Sequence, residues 1–209
     1  YKDQWRKKKL SRYGVDGILD PVMNSISRVI LPLILALGLA ASAAGAAESQ
    51  GTFEVRIKDH REAIGDFSQL KLTVGELLIS PKPGLKFWQS DWKGLAAAPE
   101  AIDLTKYIGK NSVRIFRGSL NTGAFDAIHL KLKEVSGLLK KAQRSTKIKN
   151  IVGPIKLPFE IRADIETMIV LDLVVLDMSD HPPRGYELGL NGYELYINGK
   201  LVDKVPRGP

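Results

Sequence analysis

The chain has 209 residues, no cysteine and a formal net charge of +8. Without cysteine it has no disulfide framework, no thiolate metal site and no thiol nucleophile. Residues 1–22 alone hold six Lys and Arg residues against three Asp residues. The net charge therefore says little about the rest of the chain and does not predict specific nucleic-acid binding.

The N-terminal residues predict export. Residues 23–46 read MNSISRVILPLILALGLAASAAGA, with one cation, then an apolar stretch, then small residues. This order is typical of a secretory signal peptide, and we expect cleavage after Ala46. The alternative is an uncleaved membrane anchor over residues 29–47, which approaches the roughly 20 apolar residues of a spanning helix. Either reading predicts a periplasmic or extracellular domain that begins at residue 47.

A separate basic segment, residues 1–22, precedes the signal. Because Met23 opens a complete signal peptide, we expect this segment to be absent from the mature protein. The alternative is a cytoplasmic tail that binds anionic lipid or nucleic acid.

The first strands after the signal are predicted from alternating side chains. Residues 52–59 alternate apolar and charged side chains, which is typical of a half-buried strand. Residues 69–79 alternate until Gly75 breaks the pattern, which predicts a bulge. Residues 96–108 predict a loop and one short helical turn. Residues 112–117 and 124–135 predict two strands joined by a turn at residues 121–123.

The C-terminal half predicts further strands. Residues 155–162 alternate, and Pro158 places that strand at an edge or a bulge. Residues 168–176 are apolar on both faces except at Asp172, as expected of a central strand that is covered on both sides. Two Asn-Gly pairs, at residues 191–192 and 198–199, are typical of hairpin turns.

Residues 47–209 therefore predict an all-β domain. The pattern favours an antiparallel β-sandwich of about seven to eight strands, with one short helix. A partly open barrel is the alternative.

Several segments resemble the DUF4382 domain family. They are GTFEVRIKD at residues 51–59, residues 67–77, AIDL at residues 101–104, GAFDAIHL at residues 123–130, and LDL at residues 171–173 before a Gly-Tyr strand. The resemblance covers residues 51–195. It implies an exported bacterial or archaeal β-sandwich, often lipid-anchored, without an established activity. This chain lacks the cysteine that such a lipid anchor requires.

A run of positive charge gives the first candidate binding surface. If a hairpin projects these residues together, they would attract a polyanion such as an acidic glycan. The alternative is a short amphipathic helix around residues 135–142, whose charged face is simply solvated. The basic candidates are Lys131, Lys133, Lys140, Lys141, Arg144, Lys147 and Lys149.

Aromatic and acidic residues give the other candidates. Trp88 and Trp92 either stack on sugar rings or pack in the core. Asp177, Asp180 and His181 follow the predicted central strand, where such groups hold Ca²⁺ or simply form a turn.

Asp172 is predicted to be buried, so its carboxylate needs an Arg, Lys or backbone partner, unless its side chain reaches an opening. A structural pair is the default expectation. A perturbed acid in a cleft is the alternative.

The sequence contains neither a Gly-x-Ser-x-Gly elbow nor a metal-binding histidine spacing. We therefore expect a noncatalytic extracytoplasmic binding or interaction module that uses no cofactor, with an acidic glycan or an envelope protein as its partner. One alternative is a metal-dependent hydrolase that uses Asp172, Asp177, Asp180 and His181. Another is a structural subunit of a cell-envelope assembly.

Overall fold

The computed structural model describes residues 49–82, 91–180 and 184–206. The predicted signal peptide or anchor, the basic segment before it, Trp88 and His181 lie outside these residues. Where the structure describes the chain, no helix has the length and apolar character needed to cross a membrane.

The described residues form 12 strands and two one-turn 3-10 helices, Ala63–Asp66 and Leu104–Lys106. The strands are β1 (Gln50–Asp59), β2 (Phe67–Pro81), β3 (Lys93–Leu95), β4 (Ala101–Asp103), β5 (Val113–Asn121), β6 (Gly123–Leu139), β7 (Ser145–Lys147), β8 (Lys149–Asn150), β9 (Ile155–Ile161), β10 (Glu166–Asp177), β11 (Tyr186–Ile197) and β12 (Lys200–Pro206).

These strands form two six-stranded sheets. Sheet A has the order β12-β11-β10-β1-β5, and β8 pairs with β11. Sheet B has the order β3-β2-β6-β7, while β4 pairs with β2 and β9 pairs with β6. The predicted all-β, sandwich-like architecture is confirmed, and β10 is the central strand of sheet A as predicted.

Two details differ from an antiparallel sandwich of seven to eight strands. Four of the 12 strands, β3, β4, β7 and β8, have only two or three residues, which is too short for a period of two to be recognised. The second difference is that β1 runs parallel to β10, from Thr52↔Glu166 to Asp59↔Leu173, and β8 runs parallel to β11. Side-chain alternation carries no information about the direction of the neighbouring strand.

The core lies between the sheets because each strand turns every second residue inward. On β1 these residues are Phe53, Val55 and Ile57, all fully buried. The ring of Phe159 from sheet B stacks on Phe53 at 5.3 Å and on Phe125 at 5.0 Å between ring centroids. Full burial of each such ring contributes about 1.5–3 kcal/mol. The opposite face of β1 is therefore left to the charged residues Glu54, Arg56 and Lys58.

The turn predictions have mixed outcomes. The bulge at Gly75 and the β11–β12 hairpin at Asn198 and Gly199 are confirmed, the latter with φ angles of 47° and 74°. The hairpin predicted at Asn191-Gly192 is wrong, because both residues lie inside β11, where the register with β10 shifts. Neither residue has the positive φ that a two-residue hairpin turn requires, and pairing with the long β10 extends the strand through them.

Of the remaining local predictions, some are confirmed and one is wrong. The short helical turn is the 3-10 helix at residues 104–106, and Pro158 lies in β9, which pairs with β6 alone among the described strands. The turn at residues 121–123 joins β5 to β6 and carries the chain from sheet A to sheet B. The amphipathic helix considered for residues 135–142 is wrong, since β6 extends to Leu139.

Candidate functional site

An open cleft of about 760 Å³ lies over the outer face of sheet A. Its volume falls within the roughly 300–1,000 Å³ typical of small-molecule sites. The lining comes from four adjacent strands, β1, β10, β11 and β12, and from His60, Gly109, Lys110, Ser112 and Gly199 beside them. The lining side chains include three acids, several cations and one histidine, so the cleft is polar and carries both signs of charge.

Strand register brings the polar side chains together. Because alternate residues of β1 and β10 fill the core, the residues between them face outward. On β1 these are Arg56 and Lys58, and the parallel register places Lys58 beside Asp172. On the other side, Asp172 is opposite Gly192 of β11, just where the bulge adds Asn191 to that strand.

Asp172, His60 and Asn191 form a compact triad. The His60 Nδ1 lies 3.0 Å from Asp172 Oδ2, and the Asn191 side-chain amide donates to the same oxygen at 3.0 Å. The Asn191 amide nitrogen also lies 2.8 Å from His60 Nδ1. The residue Asp172 is 7% exposed, so the predicted burial and the predicted need for a partner are both met. The partners are an imidazole and an amide rather than the Arg, Lys or backbone group expected from the sequence.

The triad cannot satisfy all its contacts with one proton arrangement. When His60 Nδ1 carries a proton it donates to Asp172, and it cannot then accept from Asn191. When Nδ1 is unprotonated it accepts from Asn191, and its lone pair then faces the carboxylate. The rest of the imidazole reaches the cleft, since the His60 side chain is 45% exposed.

Asp59 lies next to this triad and is fully buried. The segment after the second 3-10 helix covers it, because Asp59 N–H donates to the Tyr107 carbonyl and Gly109 N–H donates to the Asp59 carbonyl. The Arg61 backbone N–H donates to Asp59 Oδ1 at 2.7 Å. Gly109 has a φ of 67°, and a side chain there would meet the Arg61 guanidinium. This position therefore requires glycine.

Burial raises the pKa of Asp59 from 3.8 to about 6. The Arg61 N–H opposes the shift, the nearby Asp172 carboxylate adds to it, and His60 opposes it. Within the described part of the chain, Asp59 Oδ2 and Asp172 Oδ1 are buried without a hydrogen-bond partner. Both residues line the cleft. Two acceptors that solvent does not reach thus lack donors close to the cleft, which is uncommon in native proteins.

At the other end of the cleft, one carboxylate is paired with two ammonium groups. Glu194 Oε1 lies 2.9 Å from Lys58 Nζ and 3.3 Å from Lys204 Nζ, and Tyr196 donates to Glu194 Oε2 at 2.8 Å. Burial by itself would raise the pKa of Glu194, but the hydrogen bonds from Lys58, Tyr196 and Lys204 outweigh it and lower the pKa below its ordinary value. Lys58 is therefore committed to Glu194, although Asp172 is its neighbour in the register.

Ser112 in the cleft is held by Arg56 rather than by the histidine. Arg56 Nε donates to Ser112 Oγ at 2.9 Å, and Arg56 Nη1 donates to Glu54 at 3.0 Å. A nucleophilic serine requires a base within hydrogen-bonding distance. The Asp172–His60 pair has the geometry of an oriented general base, but the described contacts of Ser112 do not include His60.

The predicted basic run lies mainly on the β6–β7 hairpin. Lys131 and Lys133 are on β6, Lys147 pairs opposite Ser136, and the turn between the strands carries Lys140, Lys141 and Arg144. Two of the cations already have acidic partners, since Lys131 contacts Glu76 and Lys149 contacts Glu187. Lys140 donates to the Gly65 carbonyl. Lys131 and Lys140 are nine residues apart, roughly 30 Å along the strand, and none of these cations is in the lining of the outer-face cleft of sheet A. Polyanion binding by this hairpin stays a prediction.

Trp92 is half-buried and lies edge-on to His129, with ring centroids 6.2 Å apart. It precedes β3 in sheet B. Stacking of Trp88 and Trp92 on a sugar remains a prediction, because Trp88 lies outside the described residues.

The acidic turn after β10 is separate from the cleft. Asp177 is five residues beyond Asp172, roughly 16 Å along the strand. Its Oδ1 accepts from the Ser179 N–H, as a turn-forming carboxylate does. Among residues 49–82, 91–180 and 184–206, no three His, Asp or Glu side chains are arranged to hold a metal ion. A Ca²⁺ site involving Asp180 and His181 stays a prediction, since His181 is not among those residues.

Sequence reasoning missed Asp59, His60 and Asn191. Asp59 and His60 stand at the end of the first strand, and only the parallel pairing with β10 brings them beside Asp172. The one usable signal was Asp172 itself, because an acid in an apolar strand implies polar neighbours. The Asn191-Gly192 pair was visible but indicated a turn.

Comparison with family models matches residues 50–188 to a family described as "Domain of unknown function (DUF4382)". The match includes β1, β10 and the segment between them, and so most of the cleft floor. Neither the curated proteins nor the solved structures gave a match. The match agrees with the resemblance seen in the sequence, and the chain belongs to the DUF4382 family.

Proposed function

We propose that this chain is an exported, noncatalytic binding domain that takes a small polar ligand, or the terminal unit of a glycan, in the outer-face cleft of sheet A. The observation that carries the proposal is the open cleft, in which the buried Asp172 side chain contacts both Asn191 and the His60 imidazole. The His60 side chain is 45% exposed, so its ring is open to a polar ligand in the cleft.

The cleft is a better binding site than the basic hairpin. It is concave and brings several polar groups to one place, which is how small-ligand sites achieve orientation and specificity. The hairpin instead presents long, exposed cations, and two of the predicted cations are paired with Glu76 and Glu187. Exposed pairs of this kind contribute little to binding energy.

The mixture of groups suits a hydroxyl-rich ligand. Sugar hydroxyls donate to acceptors such as a neutral His60 ring, and they accept from cations such as Arg56 and Lys58. Tyr196 adds an aromatic side chain to the lining. Export is supported by the cation, apolar stretch and small residues of residues 23–46.

A glycan array probed with the full chain tests the proposal. We expect binding to be lost on Asp172→Asn, which alters the cleft, and retained on the double charge reversal Lys141→Glu with Lys147→Glu, which alters the hairpin. Binding that survives Asp172→Asn but is lost on the charge reversal would move the site to the hairpin. Absence of binding to every glycan and to a panel of small polar metabolites would refute the proposal.

A further inference from the structure

Two cations lie on one segment at the edge of the cleft. Gly109 and Lys110 belong to its lining, and the Gly109 N–H donates to the Asp59 carbonyl at 2.9 Å, which fixes the segment at the end of β1. The Arg61 guanidinium lies against Gly109, since its Nη2 is 2.6 Å from the position that a Cβ would take there. Arg61 is therefore held beside the backbone from which Lys110 projects.

Neither cation has an acidic partner in the part of the chain that the structure describes. Among residues 49–82, 91–180 and 184–206, no carboxylate oxygen lies within 4.0 Å of a charged nitrogen of Arg61 or Lys110. Glu62 follows Arg61 in the sequence, is exposed, and also forms no ion pair in these ranges. The two positive charges are uncompensated, and both attract an anion that enters this end of the cleft.

Neutral donors face the same end of the cleft. Ser112 Oγ accepts from Arg56 Nε at 2.9 Å, so the hydroxyl hydrogen of Ser112 remains able to donate. The His60 ring meets Asp172 and Asn191 through Nδ1, so Nε2 is the nitrogen left for a ligand. Nε2 donates when the ring is protonated or when Nδ1 accepts from Asn191. We name the following residues the donor cluster: His60, Arg61, Lys110 and Ser112.

The acids of the cleft are withdrawn from its surface or already paired. Asp59 continues the inward series of β1 and is fully buried. Asp172 is 7% exposed, and its Oδ2 faces His60 and Asn191. Glu194, at the opposite end, contacts two ammonium groups. The surface that a ligand meets at the donor cluster therefore presents donors and positive charge.

The balance of charge around the cleft is also positive. Arg56 is paired with Glu54 and does not enter the count. With His60 neutral, four other cations face three acids, namely Lys58, Arg61, Lys110 and Lys204 against Asp59, Asp172 and Glu194. The field of such a surplus is stronger in a cleft than on an open surface such as the β6–β7 hairpin, because the walls exclude part of the solvent.

One net positive charge matches a singly charged ligand group. A carboxylate carries one negative charge and two acceptor oxygens, and guanidinium and ammonium groups bind it through charge-assisted hydrogen bonds. A phosphate ester carries about one and a half to two negative charges at neutral pH and would exceed the surplus. A neutral hydroxyl would leave Arg61 and Lys110 uncompensated.

We infer that the donor cluster binds a carboxylate group of the ligand that occupies the cleft. This inference rests on the proposed binding function and specifies the group that the cleft recognises. The carboxylate belongs either to a sugar acid at the end of a glycan or to a simple carboxylic acid. The size of the cleft, about 760 Å³, accommodates both.

The test compares ligands that differ only in that group. The full chain, treated with chelator, is titrated by calorimetry with digalacturonic acid, its neutral dimethyl ester and succinate. We expect the acid to bind about tenfold more tightly than the ester, because hydrogen bonds between charged groups are about twice as strong as neutral ones. This difference should shrink as sodium chloride is added, since salt screens the charges.

The third probe identifies the source of the carboxylate. Succinate that binds as tightly as digalacturonic acid assigns the carboxylate to a simple carboxylic acid. Succinate that binds more weakly assigns it to a sugar acid. Both results support the inference.

Variants locate the binding. Lys110→Gln should weaken binding of the acid about fivefold and leave the ester unchanged, because only the charged contact is lost. A merely structural effect would weaken both probes alike. Lys93→Gln serves as the control, since Lys93 is an exposed lysine on sheet B outside the cleft lining. Circular dichroism and the unfolding temperature report whether each variant is folded.

Three results would overturn the inference. Equal affinity for the acid and the ester would mean that the cleft reads hydroxyls alone, in which case the proposed binding function stands. Failure of all three probes to bind, while other small polar ligands do, would have the same meaning. Binding of the acid that survives Lys110→Gln but is lost on Lys141→Glu with Lys147→Glu would place the carboxylate on the hairpin.

Discussion

Replacing Asp59 by Asn is expected to stabilise the domain at neutral pH and to change it little near pH 4. Burial raises the pKa of Asp59 to about 6, with Asp172 and Glu62 adding to the shift and Arg61 and His60 opposing it. A raised pKa means that the folded state holds the proton more tightly than the unfolded state. The corresponding stability is fully present below the unfolded pKa of 3.8 and is lost as the pH rises through about 6.

The magnitude follows from the size of the shift. About two pKa units, at 1.36 kcal/mol each, correspond to about 3 kcal/mol. Asp59 is fully buried, so solvent screens this energy little. Asn avoids the cost because it is neutral at every pH, and its oxygen can still accept from the Arg61 N–H. The gain in unfolding free energy should therefore grow from near zero at about pH 4 to about 2–3 kcal/mol at about pH 8.

Urea unfolding of the full chain, followed by tryptophan fluorescence at both pH values, measures this gain. Asp91→Asn serves as the control, because Asp91 is exposed and lies outside the cleft lining. Its effect should be small and independent of pH. A difference between the Asp59→Asn variant and the unaltered chain that is the same at pH 4 and pH 8 would refute the electrostatic reasoning.

Further substitutions test the contacts around the site and the core. Asn191→Ala should lower the unfolding free energy by about 1–3 kcal/mol, since Asp172 loses its amide donor while buried; an unchanged urea midpoint would contradict this. Gly109→Ala should cost about 1–3 kcal/mol because of its positive φ and the adjacent guanidinium, with faster hydrogen exchange at the Asp59 amide as a local measure. Phe53→Ala should cost about 3–5 kcal/mol in thermal or urea unfolding, because stacked rings lose their partner.

The strands of the core could be predicted from sequence because burial imposes a period of two. Phe53, Val55 and Ile57 carry that signal on β1, whereas the central strand was recognised because residues 168–176 are apolar on both faces. Direction and pairing could not be predicted in this way. The parallel partnership of β1 with β10 joins residues more than a hundred positions apart, and nothing local in either segment encodes it.

Only part of the candidate site could be predicted from the sequence, for the same reason. Asp172 stood out because a carboxylate in an apolar strand is costly, whereas its partners His60 and Asn191 are ordinary polar residues at a strand end and in an Asn-Gly pair. The charge run at residues 131–149 was the more conspicuous pattern. These residues lie on a solvated hairpin and not in the outer-face cleft, and the number of charges in a segment does not show whether the folded surface there is concave.

The β1–β10 pairing also constrains how the protein is made. During synthesis from the N-terminus, β1 leaves the ribosome long before β10. The edge of β1 that pairs with β10 therefore stays unpaired until residue 177 has been translated. Sheet B and the β1–β5 pair have all their strands earlier and can assemble first. Closure of a loop of this length is slow and leaves strand edges exposed meanwhile, so chaperone contact is expected to concentrate on β1.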